Sequence, residues 1–326
     1  MRAERNVPLF SFLLSLCCAV AAGSATAQQF PSKAVRFIVP QTAGSATDTV
    51  ARGIAVKLAE RLGHPVVAEN RPGASGIIGG EVVAKAPPDG YTILIVSATH
   101  SVNPSLHRSL PFDPVKDFAP VTLATSQPYV LLAHPSLPAK SVKELVALAR
   151  ARPGQIDYAA TAVGSLGHLG FELLNVTAGI KLHFIPYKGV APALTDLLGG
   201  HVSVLFLTVV SSLPQVRAGR LRGLAVSGAK RLAVAPEIPT VAENGFPGFE
   251  VSGWYGILAP AGTPQAVIAR LNGEIVAILR SPELKERLAA DGSDAVGSTP
   301  QQFGEHLRAE IAKWARVVKA AKIQPE

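Results

Sequence analysis

The chain has 326 residues, 31 lysines and arginines against 23 acidic residues, a formal net charge of +8 and only two cysteines. A basic excess suits an anionic ligand or an acidic surface. The basic residues are scattered, however, without a Lys/Arg-rich run or an aromatic-interleaved basic motif, so nucleic-acid binding is not expected.

The first 27 residues have the form of an export signal. Arg2, Glu4 and Arg5 precede a largely apolar run from Val7 to Ala22, and Ala25-Thr26-Ala27 places cleavage before Gln28. At about 16 residues the run is short of the ~20 that span a bilayer. Leu16 precedes Cys17, where a lipoprotein signal would carry a small residue. Removing this segment takes both Cys17 and Cys18 and leaves 29 basic and 22 acidic residues. The exported chain is then held by its core rather than by disulfides. About 299 residues suffice for two lobes. No later stretch approaches 18 uninterrupted apolar residues, so a soluble periplasmic protein is expected.

From there, β-branched runs alternate with helical patterns, as in parallel α/β construction. Val35 to Val39 reads as the first strand. Val50, Ile54, Leu58 and Leu62 recur every four residues and predict a helix over about 47–62. Strands are expected at Pro65–Glu69 and Thr92–Val96, with a helix at Ile77–Lys85. Asn103–Pro120 is proline-rich, lacks a period and reads as a loop. A second series starts near Tyr129. There the capping box Ser141-Val142-Lys143-Glu144 opens a helix to about Ala151. Asp157–Ala160, Leu166–Thr177 and Leu182–Ile185 then make a strand–helix–strand unit. Ala191–Leu198, Val202–Leu207, Leu213–Ala218 and Leu221–Val226 continue the alternation.

Helices return at Pro264–Leu279 and Pro282–Ala290, each opening on proline. A further capping box, Thr299-Pro300-Gln301-Gln302, precedes an apolar stripe of Phe303, Leu307, Ile311, Trp314 and Val318. Two α/β blocks with returning helices predict two lobes, the last segment packed on the first lobe. The chain then crosses between lobes more than once, and the hinge encloses a cleft.

Two strand-to-helix loops carry the candidate chemistry. In Gln41-Thr42-Ala43-Gly44-Ser45-Ala46-Thr47-Asp48, small residues let backbone approach a ligand, and the helix behind offers unpaired N–H groups to a carboxylate. Open α/β sheets bind ligands at this end of their strands. Ser45 with Asp48 also reads as an ordinary capping box, with Asp48 a cap rather than a contact, since its charge repels an anion. The second loop, Thr161-Ala162-Val163-Gly164-Ser165-Leu166-Gly167-His168, repeats this chemistry. Ser165 and His168 form the one candidate hydrolase or isomerase pair. A nucleophile elbow needs glycine at 163, where valine stands, and a lone histidine in a first turn is more often structural. Gly73-Ala74-Ser75-Gly76-Ile77-Ile78-Gly79 has the wrong spacing for a dinucleotide fingerprint, and no Walker A sequence occurs. His168 and Glu172 are four apart, too few ligands for a metal site. No catalytic set, metal or cofactor is expected.

Several segments together resemble the Bug family, the extracytoplasmic substrate-binding components of tripartite tricarboxylate transporters. They are Ile38-Val39-Pro40 with Thr47-Asp48, Val67 to Ala74, Pro88 to Thr92, Leu110 to Phe118, Pro186-Tyr187-Lys188-Gly189, Ala191 to Leu194 and Leu258 to Pro264. The likeness runs in order from Phe30 to about Lys322. It implies a type II periplasmic-binding-protein fold: two lobes, each a mostly parallel sheet flanked by helices, joined by two crossover segments. The division it suggests is 28–128 with 246–326 for one lobe and 129–245 for the other.

The resemblance further implies a monomeric receptor that grips a small organic carboxylate and delivers it to inner-membrane permease subunits. A ligand-bound form that docks on a membrane sensor is the alternative within the same architecture. The ligand is then held by the two loops, with Gln41, Thr42, Gly44, Ser45, Thr47 and Asp48 from one lobe. Thr161, Gly164, Ser165, His168, Tyr187 and Thr208 come from the other. Two departures matter. Gln41 and Thr42 stand where the family commonly has an aromatic and a proline, and Leu207-Thr208-Val209 replace a common Asp-Asn. The lost acid predicts a ligand without a cationic amino group.

Overall fold

The computed structural model describes residues 30–290 and 292–325; the expected export signal and its cleavage point lie outside the described residues. The first sheet grows around β1 (Val35–Val39), flanked in parallel by β2 (Val66–Asn70) and β3 (Thr92–Ser97). Continuous apolar runs such as Ile93-Leu94-Ile95-Val96 suit a strand buried on both faces. Phe37 and Val39 face Ile54 and Leu58 of α1 (Ala46–Leu62), while Ile38 faces Phe112 and Phe118. That alternation follows from the two-residue period of a strand. Beyond β3 the sheet turns antiparallel: β9 (Ser252–Pro260) pairs with β3, and β4 (Phe118–Ala133) pairs with β9. The short β10 (Asp294–Ala295) pairs with β4.

The second sheet uses the far half of the same β4. Residues 129–133 pair antiparallel with β7 (Val204–Thr208), which continues in parallel through β5 (Asp157–Ala160) to β6 (His183–Pro186). On β4's other side lies β8 (Arg222–Val226). Leu131 and Ala133 face one apolar cluster, Val130 and Leu132 the opposite one. The helices here are α4 (Val142–Ala151), α5 (Leu166–Ala178), α6 (Val190–Leu198) and α7 (Val209–Arg217). The chain passes from sheet to sheet once along β4. It returns beside it, where Ser227 N–H bonds Tyr129 O and Val251 N–H bonds Ser227 O (2.8 and 2.9 Å).

Strand register fixes which ends meet. Ser97 at the end of β3 lies opposite Tyr255, and Tyr255 opposite Thr125. Thr208 at the end of β7 lies opposite Tyr129. The carboxyl ends of both parallel triples therefore face each other across Thr125–Tyr129, four residue steps of extended chain or about 13 Å.

Several elements differ from the sequence reading. The stretch read as a loop begins inside α3 (Thr99–Leu106), a helix that tolerates Pro104, and ends in the first residues of β4. Strand β9 had no forecast at all. The C-terminal α10 (Pro300–Ala320), expected on the first lobe, spans both. Phe303 and Leu307 pack in a first-sheet cluster, whereas Trp314, Val317 and Val318 join the cluster around Leu131 and Phe171. Its Thr299–Gln302 capping box is formed in both directions. The remaining helices, α2 (Ile77–Ala84), α8 (Gln265–Leu279) and α9 (Pro282–Ala290), cover the first sheet.

Candidate ligand-binding site

The two candidate loops are copies of one turn. Gly44 (φ 80°) and Gly164 (φ 76°) both adopt the left-handed conformation that glycine allows without a Cβ penalty. The following serines cap α1 and α5 with nearly equal backbone angles, φ −68° and ψ 161° at Ser45, φ −63° and ψ 153° at Ser165. Ser45 Oγ accepts from Asp48 N–H (3.2 Å), and Ser165 Oγ accepts from His168 N–H (3.3 Å). The side chain four residues past each glycine reaches back to it. Asp48 Oδ2 accepts from Gly44 N–H (2.9 Å), and His168 Nδ1 accepts from Gly164 N–H (3.0 Å). With these bonds made, the first-turn N–H groups left over are those of Ala46 and Thr47 in one loop, Leu166 and Gly167 in the other.

Asp48 is buried and its carboxylate is filled from within the protein. Besides Gly44 it accepts from Arg52 Nε (3.0 Å) and from Asn70 Nδ2 (2.8 Å). These partners, Arg52 first, hold its pKa at about 2 despite burial. Asn70 Nδ2 also bonds the Gln41 carbonyl (3.0 Å), tying the start of the loop to β2. Thr47 is buried at the start of α1. Thr42 is exposed, with its carbonyl accepting from Ser45 N–H.

His168 is buried against Tyr158 and Phe184, ring centroids 6.2 and 4.3 Å away. Burial lowers its pKa to about 4, so near neutrality it is an uncharged imidazole with the proton on Nε2. Its Nδ1 faces Gly164, and the Ser165 hydroxyl donates instead to Ala162 O (2.8 Å). A serine–histidine nucleophile requires the imidazole to accept the hydroxyl proton; the pair is not formed.

Tyr187 sits beside the second loop through its N–H bond to Ala160 O (2.9 Å). Its own hydroxyl donates to Asp196 (2.7 Å), and burial with that carboxylate pushes its pKa up to about 12. Thr208 is exposed at the end of β7, opposite Tyr129. Thr161 is half-buried at the mouth of its loop.

The sequence reading missed Tyr129 and Tyr255 on the crossing strands, and Asn103, which donates to Ser75 O (3.2 Å) and holds the turn where Ala74 and Ser75 have positive φ. A hinge tyrosine in an apolar strand has no local sequence signal. Asn103 had none either, because Ser75 lies 28 residues away in the chain and the contact and burial appear only in the fold.

The electrostatics come from backbone. Helices α1, α2, α3, α5, α6 and α7 each begin just past the carboxyl end of a strand, so their partly positive N-termini are gathered at the facing sheet ends. Arg71 is paired with Glu69 and Asp48 with Arg52. Among the described residues no group of three or more His, Cys, Asp or Glu is placed to hold a metal ion, and no helix is long and apolar enough to cross a membrane.

Two α/β lobes sharing one long strand, with helix N-termini turned on the space between them, define a solute-binding receptor of the two-lobed periplasmic-binding-protein type. The chain belongs to the tripartite tricarboxylate transporter receptor family, whose model matches residues 50–323. It is 39% identical over 300 residues to the protein BugT of Bordetella pertussis, covering 91% of this chain and 92% of that one. The R. palustris protein Rpa4515, solved with adipate, is 40% identical with a TM-score of 0.72 over 91% of this chain and 100% of that chain. MatC from Rhodopseudomonas palustris, solved with bound malate, is 33% identical with a TM-score of 0.69 over 89% of this chain and 100% of that chain.

Proposed function

We propose that this protein is a periplasmic receptor that closes its two lobes over a small organic carboxylate and presents it, unchanged, to the permease subunits of a tripartite transporter. The observation that carries this reading is the paired turn, with two free N–H groups at each of two facing helix N-termini and no free acid beside them. A carboxylate is the ligand such donors favour. The donors are then Ala46 and Thr47 from one lobe, Leu166 and Gly167 from the other, with the Ser45 hydroxyl beside them. Asp48 and His168 hold the turns in shape, and Gln41, Thr42, Thr161, Tyr187 and Thr208 surround the remainder of the ligand. The related proteins solved with adipate and malate fit this chemistry.

The lobes divide as 28–128 with 246–326 and 129–245, α10 strapping the two, and the chain works as a monomer after loss of the first 27 residues. The unformed Ser165–His168 pair favours capture over catalysis, and the absence of an acid at Thr208 favours ligands without an ammonium group. A thermal-shift screen across carboxylates, sugars and cations tests this. A bound carboxylate at a hundred times its Kd adds about 2.7 kcal/mol of stability and is recovered chemically intact. Stabilisation by sugars or cations with none by any carboxylate would sink the proposal.

A further inference from the structure

Val163, Val190 and Val210 leave 60%, 43% and 49% of their surface in solvent. Isolated exposed valines are ordinary on a protein surface, but these three are not isolated. Each follows the carboxyl end of a strand in the second lobe: Val163 after β5, Val190 after β6, Val210 after β7. The strand order β7–β5–β6 makes the three turns neighbours, so the side chains span two strand spacings, about 10 Å. All three lie at the sheet end that faces the first lobe. Three hydroxyls beside them are already committed. Tyr187 donates its hydroxyl to Asp196 and Ser165 to Ala162 O, while Thr208 Oγ1 pairs with Ser211 at 3.4 Å.

We infer that this valine stripe selects organic acids whose skeleton beyond the carboxylate is hydrocarbon, linear or aromatic, and discriminates against hydroxylated acids of the same length. The inference rests on the carboxylate reading above and specifies the body of the ligand rather than its head. A ligand hydroxyl set on the valines is stripped of water, and the Tyr187, Ser165 and Thr208 hydroxyls beside them already have partners. A methylene in that place loses nothing and covers valine surface left wet in the empty protein.

Calorimetric titration of the purified protein with succinate, glutarate, adipate and benzoate, against malate and 2-hydroxyglutarate, tests this. The best hydrocarbon-bodied acid is expected to bind at least roughly tenfold tighter than the best hydroxy acid. Val163→Thr and Val210→Thr keep side-chain shape while exchanging a methyl for a hydroxyl. They are expected to narrow that ratio with the melting temperature unchanged, since both side chains are exposed. Hydroxy acids binding as tightly as their unsubstituted counterparts, or a ratio the two variants do not move, overturns the inference while leaving the carboxylate receptor standing. Failure of every acid to bind overturns both.

Discussion

Asp48 and His168 hold equivalent places in the two turns, and acid separates them. The His168 imidazole, and that of His100, which bonds Pro114 O (3.0 Å) between Phe112 and Phe118, are each lowered to about 4 by burial. An unfolded chain takes up a proton on each near pH 6.5 and the folded one only near 4. Stability is therefore full above pH 6.5 and falls as pH drops through that window, by on the order of 3 kcal/mol per histidine. Asp48 adds its loss lower, between its ordinary carboxylate range and about 2. His168→Asn places an amide oxygen where Nδ1 accepts from Gly164 and removes the titration. Urea unfolding of this variant between pH 7 and 5 should show a shallower loss of stability than the parent; an identical slope would show that His168 titrates normally. The sequence pointed to both turns through Gly-Ser before a helix. It did not separate the residues that shape a turn from those that touch a ligand, because Asp48's three partners come from Gly44, Arg52 and Asn70, the last on a different strand.

At the scale of elements, period and capping located most helices and the parallel strands to within a residue or two, although α3 was not foreseen and α7 begins four residues before Leu213. Both long crossing strands escaped them. β4 carries Pro120 and Pro128 and continues through the hinge, so neither its composition nor its length resembles an ordinary strand. In β9 every residue is buried, and the alternation that marks a half-exposed strand is absent. One of its glycines, Gly256, has a packing reason that only the assembled fold displays. Gly256 lies between β3 and β4, where a Cβ would overlap the Phe303 ring of α10. Gly256→Ala should cost about 1–3 kcal/mol through overpacking, read as a lower urea midpoint with an unchanged slope. Phe303→Leu in the same background should restore part of the loss, because the ring is the atom group displaced. If Gly256→Ala is neutral, α10 is not seated on β9 as described.

At the scale of the whole molecule, Glu310 and Lys313 tie α10 to the strand that returns beside β4. Glu310 Oε2 accepts from Trp314 Nε1 (3.0 Å) on its own helix and from Trp254 Nε1 (3.4 Å) on β9. Lys313 pairs with the other carboxylate oxygen and also donates to Glu250 O (3.1 Å) just before β9. Ser126 and Ser252, from the two crossing segments, line a cavity of about 220 Å³ with Glu250, His306 and Glu310. The chain has two tryptophans, and both therefore report on the place where the proposed lobe closure would bend the backbone. A saturating carboxylate should shift the tryptophan emission, although neither indole lies in the ligand turns. Glu310→Ala should destabilise the protein by about 1–3 kcal/mol, since it leaves two indole N–H groups without their acceptor and Lys313 without its partner. It should also move the ligand-free emission. Emission unchanged at full occupancy by calorimetry would mean that closure leaves this strap untouched and that the hinge lies elsewhere along β4.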